Sequence, residues 1–305
     1  MQEMNVNDMS SHLAGELLKE KRADRRWRNI RFAAWFLLIA VIVFKLLSPG
    51  STSVPRTGKS GYVALMRLDG MIAPDREFSS DTVVPMLRKA FADKHAKGVV
   101  IDINSPGGTP VQAAIIHDAV LYYKKKYNKK VIIVGEDMLT SGAYYVAVAA
   151  DKIYVNPNTI TGSVGVIMKG FGFVDLIKKL GIERRVYISG ADKDRLDPFM
   201  PQTDADVKKI RDVMGEVQAN FAMAVVEGRK GKLHGTPEEL FTGDFWSGQT
   251  AKKLGLVDET GNLIDAIQTE FKTTEYKEYG GTPSFIKMIS GQFTSSLDAM
   301  FYTYL

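Results

Sequence analysis

The chain has 305 residues, 45% of them hydrophobic and 25% charged, enough for one large domain or two small ones with a buried core. A formal net charge of +5 is mild and partly concentrated near the N-terminus, so nucleic-acid binding is not indicated. There is no cysteine, which excludes disulfides and thiolate zinc sites. The four histidines (His12, His95, His117 and His234) have no metal-ligand spacing, so neither a metal nor a cofactor is expected.

Seven basic residues (Lys19, Lys21, Arg22, Arg25, Arg26, Arg28 and Arg31) lead directly into an uninterrupted apolar run, Phe32 to Phe44. Thirteen residues are short for a span of about 20, but Leu46 and Leu47 extend the run and Lys45 can snorkel. A cleaved signal peptide fits poorly, because more than thirty residues precede the run and no small-x-small site follows it. The basic flank predicts an uncleaved signal anchor over residues 32–48, with residues 1–31 cytoplasmic and the rest extracytoplasmic. Residues 49–60, rich in Ser, Pro and Gly, read as a linker.

Beyond it, strands and helices alternate. Tyr62–Leu68 alternates as a strand, and Ser80 or Asp81 caps a helix bearing Val83, Met86, Leu87, Ala90 and Phe91 on one face, with Pro85 in its first turn. Gly98–Ile103 reads as a buried strand, Pro110–Tyr127 as a helix, and Lys130–Val134 as a second buried strand. Gly142 to Ala150 is a small, apolar helix. Lys152–Val155, Val164–Met168 and Glu183–Ser189 read as strands, and Val174–Leu180 as a helix. A long amphipathic helix follows Thr203, with Val207, Ile210, Met214, Val217, Phe221 and Ala224 three or four apart. This order predicts an α/β domain with largely parallel strands over 61–275. The remaining tail, 276–305, carries an apolar helical stripe from Phe285 to Phe301.

Three stretches could carry chemistry. Asn104-Ser-Pro-Gly-Gly108 follows a strand, and its glycines let backbone N–H groups approach a ligand, as an oxyanion hole requires. Ser141 stands at a helix N-terminus, where a nucleophile's negative charge is favoured; taken alone, a Ser-Gly-Ala corner is better explained as a plain N-cap, and other parts of the chain have to shift that reading. Thr161-Gly-Ser-Val-Gly165 is another small-residue turn with a hydroxyl, Ser163. A serine nucleophile needs a base, and no histidine lies between Ser141 and His234. His117 remains open. A desolvated lysine is the main alternative, and periodicity does not choose which, Lys193 being one candidate among many.

Taken together, SPGG, SGAYYVAVAADKIYVNP, TGSVGV and SGADKDRLDPF resemble, in order, the short single-repeat form of the signal peptide peptidase A family. The resemblance implies a membrane-anchored serine endopeptidase with a Ser-Lys dyad and a Clp-protease/crotonase-like fold of repeated ββα units. Carried over by residue, Ser141 is the nucleophile, Lys193 the general base and Ser163 the hydroxyl orienting it. Gly108 or Gly107, with Gly142, supplies the oxyanion N–H groups, and an apolar pocket is expected near Tyr144 and Val146. Two departures stand out: Ala143, where the family often has glycine, and Asp192, where it usually has Tyr or His before the lysine. The implied partners are released signal peptides and other short unfolded peptides, membrane lipid, and further copies of the chain in a homo-oligomeric ring, an octamer being one size considered. A crotonase-like acyl-CoA enzyme and a catalytically inactive membrane scaffold are the rival readings. The anchor counts against the first, and the joint presence of Ser141, Lys193 and Ser163 counts against the second.

Overall fold

The structure, a computed structural model, describes residues 26, 27, 29–40 and 61–280. The chain divides into two compact units, 1–56 with 281–305, and 57–280. In the first, residues 29–40 lie in a helix (α1) whose apolar side chains, among them Phe32, Trp35, Phe36 and Leu37, are exposed. No helix among the described residues is long and apolar enough to cross a membrane; the rest of the expected span, 41–48, lies outside them. The segment before residue 26 expected to be cytoplasmic, the expected linker and the tail beyond residue 280 also lie outside them.

The second unit is α/β. Its strands are β1 (Tyr62–Asp69), β2 (Ala96–Ser105), β3 (Val131–Thr140), β4 (Lys152–Val155), β5 (Ile160–Gly162), β6 (Phe245–Ser247), β7 (Glu259–Thr260) and β8 (Tyr276–Glu278). Its helices are α2 (Ser80–Ala92), α3 (Pro110–Tyr127), α4 (Gly142–Ala147), α5 (Val174–Lys179), α6 (Asp204–Gly228), α7 (Pro237–Leu240), α8 (Gly248–Lys253) and α9 (Leu263–Phe271). They build one eight-stranded sheet in the order β6-β5-β3-β2-β1-β8, with β4 and β7 branching from β3. All pairs are parallel except β5 with β6.

Both faces of the central strands are covered, which is why they read as near-continuous apolar runs. Ala64, Met66, Val99, Ile101, Val131 and Ile133 pack with α2, α3, α4 and α6 in the main core. The alternate residues Val63, Leu65, Val100, Ile132 and Val134 pack under Ala266, Ile267 and Phe271 of α9.

One irregularity in this sheet positions the candidate site. Between the pairs Ile103–Gly135 and Ser105–Leu139, β2 advances two residues while β3 advances four. The resulting bulge is held by Asn104, whose Oδ1 accepts the Met138 N–H at 3.1 Å. Past the bulge Thr140 pairs with Gly162 of β5. The strand therefore runs past Val134 as far as Thr140, six residues beyond the sequence-based boundary, and delivers Ser141 at its end.

Three expectations are corrected. Val164–Met168 and Glu183–Ser189 are not strands; the free edge of β5 is taken by β6, and Val186, Tyr187 and Ile188 lie exposed without a strand partner. Helix α2 begins at Ser80 after Ser79, so Pro85 lies inside it rather than in its first turn, on the exposed side where water can satisfy the carbonyl that proline leaves free. Tyr144 and Val146 lie in the main core, as taken up below.

Candidate active site

Ser141 links β3 to α4 with φ 52° and ψ −124°. An N-cap serine takes extended angles and accepts a helix N–H with its side chain. Ser141 does neither: no side-chain capping bond is made, and its backbone sits where a side chain is strained by about 1–3 kcal/mol. The conformation is held by its neighbours. The Ser141 N–H donates to Gly162 O at 2.8 Å, and its carbonyl accepts the Tyr145 N–H at 2.9 Å. The half-buried hydroxyl has no partner among the described residues.

The Gly107–Gly108 turn lies against this corner. A Cβ on Gly107 would stand 2.7 Å from both Ser141 Cβ and Gly142 N, and one on Gly142 would stand 3.2 Å from Gly108 N. Glycine is required here for φ as well as for space, since Gly107 has φ 99°. The loop is clamped by Ile72, whose N–H donates to Gly107 O and whose carbonyl accepts the Thr109 N–H, each at 2.8 Å. The Gly107 N–H is used internally, donating to the buried Ser105 Oγ at 3.1 Å. That leaves the Gly108 and Gly142 N–H groups without an acceptor among the described residues, beside each other and next to Ser141.

Ser163 follows Gly162 directly, so the Ser141–Gly162 hydrogen bond brings the two serines into one corner. It too has positive φ, 52°, and its N–H donates to Asp244 O at 2.7 Å. Lys193 is exposed in a turn closed by its own N–H to Gly190 O at 3.2 Å. Its amine makes no hydrogen bond or ion pair among the described residues, and none joins it to Ser141. The structure thus brings together Ser141, Ser163, Gly107, Gly108 and Gly142, while Lys193 remains unpartnered.

Tyr144 and Val146 do not line a pocket: both are fully buried. Tyr144 donates its hydroxyl to Leu256 O at 2.7 Å, and burial pushes its phenol well above the usual range. His117 is also packed away, its Nδ1 2.9 Å from Asp118 Oδ1 and its ring edge-on to Tyr145 at 5.2 Å.

Sequence reasoning missed an ionic cluster on the α9 face of the same strands. Asp102, 3% exposed, meets Arg67 Nη1 at 2.5 Å, and Arg67 also reaches Glu278 at 3.2 Å and Glu136 at 3.8 Å. Burial, then the charge of Glu136, raises Asp102 to about 7 against the pull of Arg67. A cavity of about 560 Å³ opens there, lined by Asp102, Glu136 and Ile267 but not by Ser141. No group of three or more His, Asp or Glu side chains among the described residues is arranged to hold a metal.

Residues 123–278 match the sequence profile of Peptidase family S49, just over half of the chain. The chain belongs to Peptidase family S49. The match takes in Ser141, Ser163 and Lys193, while Gly107 and Gly108 lie ahead of it. Relatives of this S49 chain include a protein of Enterococcus faecium provisionally named signal peptide peptidase SppA, 28% identical over 82% of each chain. A protein of Methanocaldococcus jannaschii provisionally named a protease is 32% identical over 68% of each chain. The Na(+)/H(+) antiporter NhaA of Brucella melitensis is 44% identical over 61% of this S49 chain, but the matched stretch is only a quarter of that longer protein. The transport in its name is said of that protein.

Proposed function

We propose that this chain is a membrane-anchored serine peptidase that cleaves released signal peptides and other short unfolded peptides outside the cytoplasm. The observation that carries the reading is Ser141: it is strained, uncapped and half-buried, beside two backbone N–H groups without acceptors among the described residues. Such strain in a serine that caps nothing calls for a functional reason. The names of the S49 relatives, signal peptide peptidase and protease, support the chemistry.

In this reading Ser141 Oγ attacks the scissile carbonyl and gives its proton to a neutral Lys193 amine. The oxyanion that forms accepts hydrogen bonds from the Gly108 and Gly142 N–H groups. Lys193 then protonates the departing amine, leaving an acyl group on Ser141. Water, deprotonated by the same lysine, releases it. Ser163 holds the lysine amine toward Ser141. Gly108 rather than Gly107 serves as the second donor, because the Gly107 N–H is already given to Ser105.

Lys193 reaches a serine from a neighbouring copy. Among the described residues of one protomer both Ser141 Oγ and Lys193 Nζ lack partners. The segment that bears Lys193 also exposes Ile167, Phe171, Leu176, Leu180 and Ile182, more apolar surface than a lone chain usually leaves open. A closed ring of identical chains would cover it and complete each site. The finer fold assignment, Clp-protease/crotonase-like over 61–275, and the anchor over 32–48 with its basic cytoplasmic flank, belong to the same proposal. The exposed apolar side chains of α1 suit a lipid environment.

The test mixes two inactive variants, Ser141→Ala and Lys193→Ala, and reassembles them. Across an interface some sites pair an intact serine with an intact lysine, and activity returns. Silence from a verified mixed oligomer would place both residues in one subunit.

A further inference from the structure

Asp192 is an awkward neighbour for a lysine that must give up its proton, because a nearby carboxylate favours the charged amine. Its carboxylate is engaged elsewhere. Arg195 Nη2 lies 2.6 Å from Asp192 Oδ1, and Arg195 Nε lies 3.2 Å from Asp206 Oδ1. Asp206 is itself fixed, accepting the N–H and hydroxyl of Thr203 in the capping box that opens α6. The Arg195 guanidinium, with only 21% of its side chain exposed, therefore lies between two carboxylates as an ion-pair partner of both, its Nε making no hydrogen bond among the described residues, and its charge ties the turn around Lys193 to the first turn of a long helix.

We propose that Arg195 is a positioning residue for the base: it draws Asp192 away from Lys193 and anchors the turn that carries Lys193 to α6. The proposal rests on the reading of Lys193 as the base. The charged groups involved are Asp192, Asp194 and Arg195 of the turn itself and Asp206 of α6. Arg184 and Asp197, beside this turn, are paired with each other. Asp194, on the other flank of Lys193, has no ion pair or side-chain hydrogen bond among the described residues. Asp194 thereby supplies an internal control, since Arg195 does not hold it.

The experiment records pH–rate profiles of the full chain on a Leu/Ala-rich fluorogenic peptide, for the wild type and for Arg195→Gln alone, with Asp192→Asn, and with Asp194→Asn. Thermal unfolding is followed alongside. Releasing Asp192 should shift the rising limb of the Arg195→Gln profile upward by about one pH unit. Below the limb that lowers activity roughly tenfold, because only the deprotonated amine accepts the serine proton. Adding Asp192→Asn should return the limb to its wild-type position, and adding Asp194→Asn should not. The proposal is overturned if Arg195→Gln leaves the limb in place, with or without lost activity. It is equally overturned if Asp192→Asn restores nothing or Asp194→Asn restores as much. A Lys193→Met enzyme that keeps its activity is a separate result, and it removes the base reading itself.

Discussion

Gly107→Ala probes the contact between the SPGG turn and the serine corner. The added Cβ would stand 2.7 Å from Ser141 Cβ and from Gly142 N, and 2.8 Å from Thr140 O. Ordinary carbon contacts sit at about 3.5 Å, so the two loops must separate by roughly 0.8 Å. All three neighbours belong to the fixed 140–142 corner, and none is the end of a flexible side chain. A displacement of about 1 Å between reacting groups costs on the order of a hundredfold in rate, near 2.7 kcal/mol. Alanine at φ 99° adds strain of about 1–2 kcal/mol, which is felt as stability rather than rate. The assay is kcat/KM on a Leu/Ala-rich peptide, with urea unfolding to confirm that the variant is folded under assay conditions. The expected result is a folded enzyme at least a hundredfold slower, with most of the loss in kcat. A folded Gly107→Ala protein within a few-fold of wild type would refute the argument that this corner holds the reacting groups.

Other outcomes follow from the packing and the charges. Arg229, 1% exposed, donates to Gly255 O at 2.9 and 2.8 Å and to Asp258 at 2.5 Å, so Arg229→Met should lower stability by about 3 kcal/mol in urea unfolding. A loss below about 1 kcal/mol would mean that Lys232, 2.7 Å from Asp258, carries the pair alone. Asp102, raised to about 7 from 3.8, keeps a proton in the folded chain that the unfolded chain releases between those values. Its contribution therefore makes stability fall as pH rises through that window, and Asp102→Asn should flatten the fall between about pH 4 and about pH 7. An unchanged slope, measured by chemical unfolding across the window, would show that Asp102 is ionised throughout.

Much of the frame was legible in the sequence because it obeys local rules. Val131 to Val134 is β-branched and buried on both faces, Thr203 has its capping partner Asp206 three residues on, and Gly107 and Gly108 announce a turn that no other residue could make. The segment around Glu183–Ser189 misled for a physical reason. Its apolar residues have the composition of a strand, but the edge of β5 is taken by β6, the segment pairs with no strand, and those residues stay exposed. Tyr144 and Val146 misled differently, because sequence shows that α4 is apolar and not which face meets the core. The Ser105 hydrogen bond to Gly107 was within reach, since a hydroxyl two residues before an N–H is a known turn device. The bulge that lengthens β3 and the Arg195 bridge were not, because each depends on partners distant in the chain or on backbone geometry without a residue signature.

The central claim is that Ser141 is a nucleophile with an oxyanion site beside it. It is tested most directly by treating the purified full chain with a fluorophosphonate and mapping the adduct by mass spectrometry. The account predicts one adduct, on Ser141, formed in step with loss of peptide hydrolysis, absent from Ser141→Ala and slowed in Gly107→Ala. An active enzyme that carries no adduct on Ser141, or a Ser141→Ala protein that still hydrolyses the peptide, would contradict it.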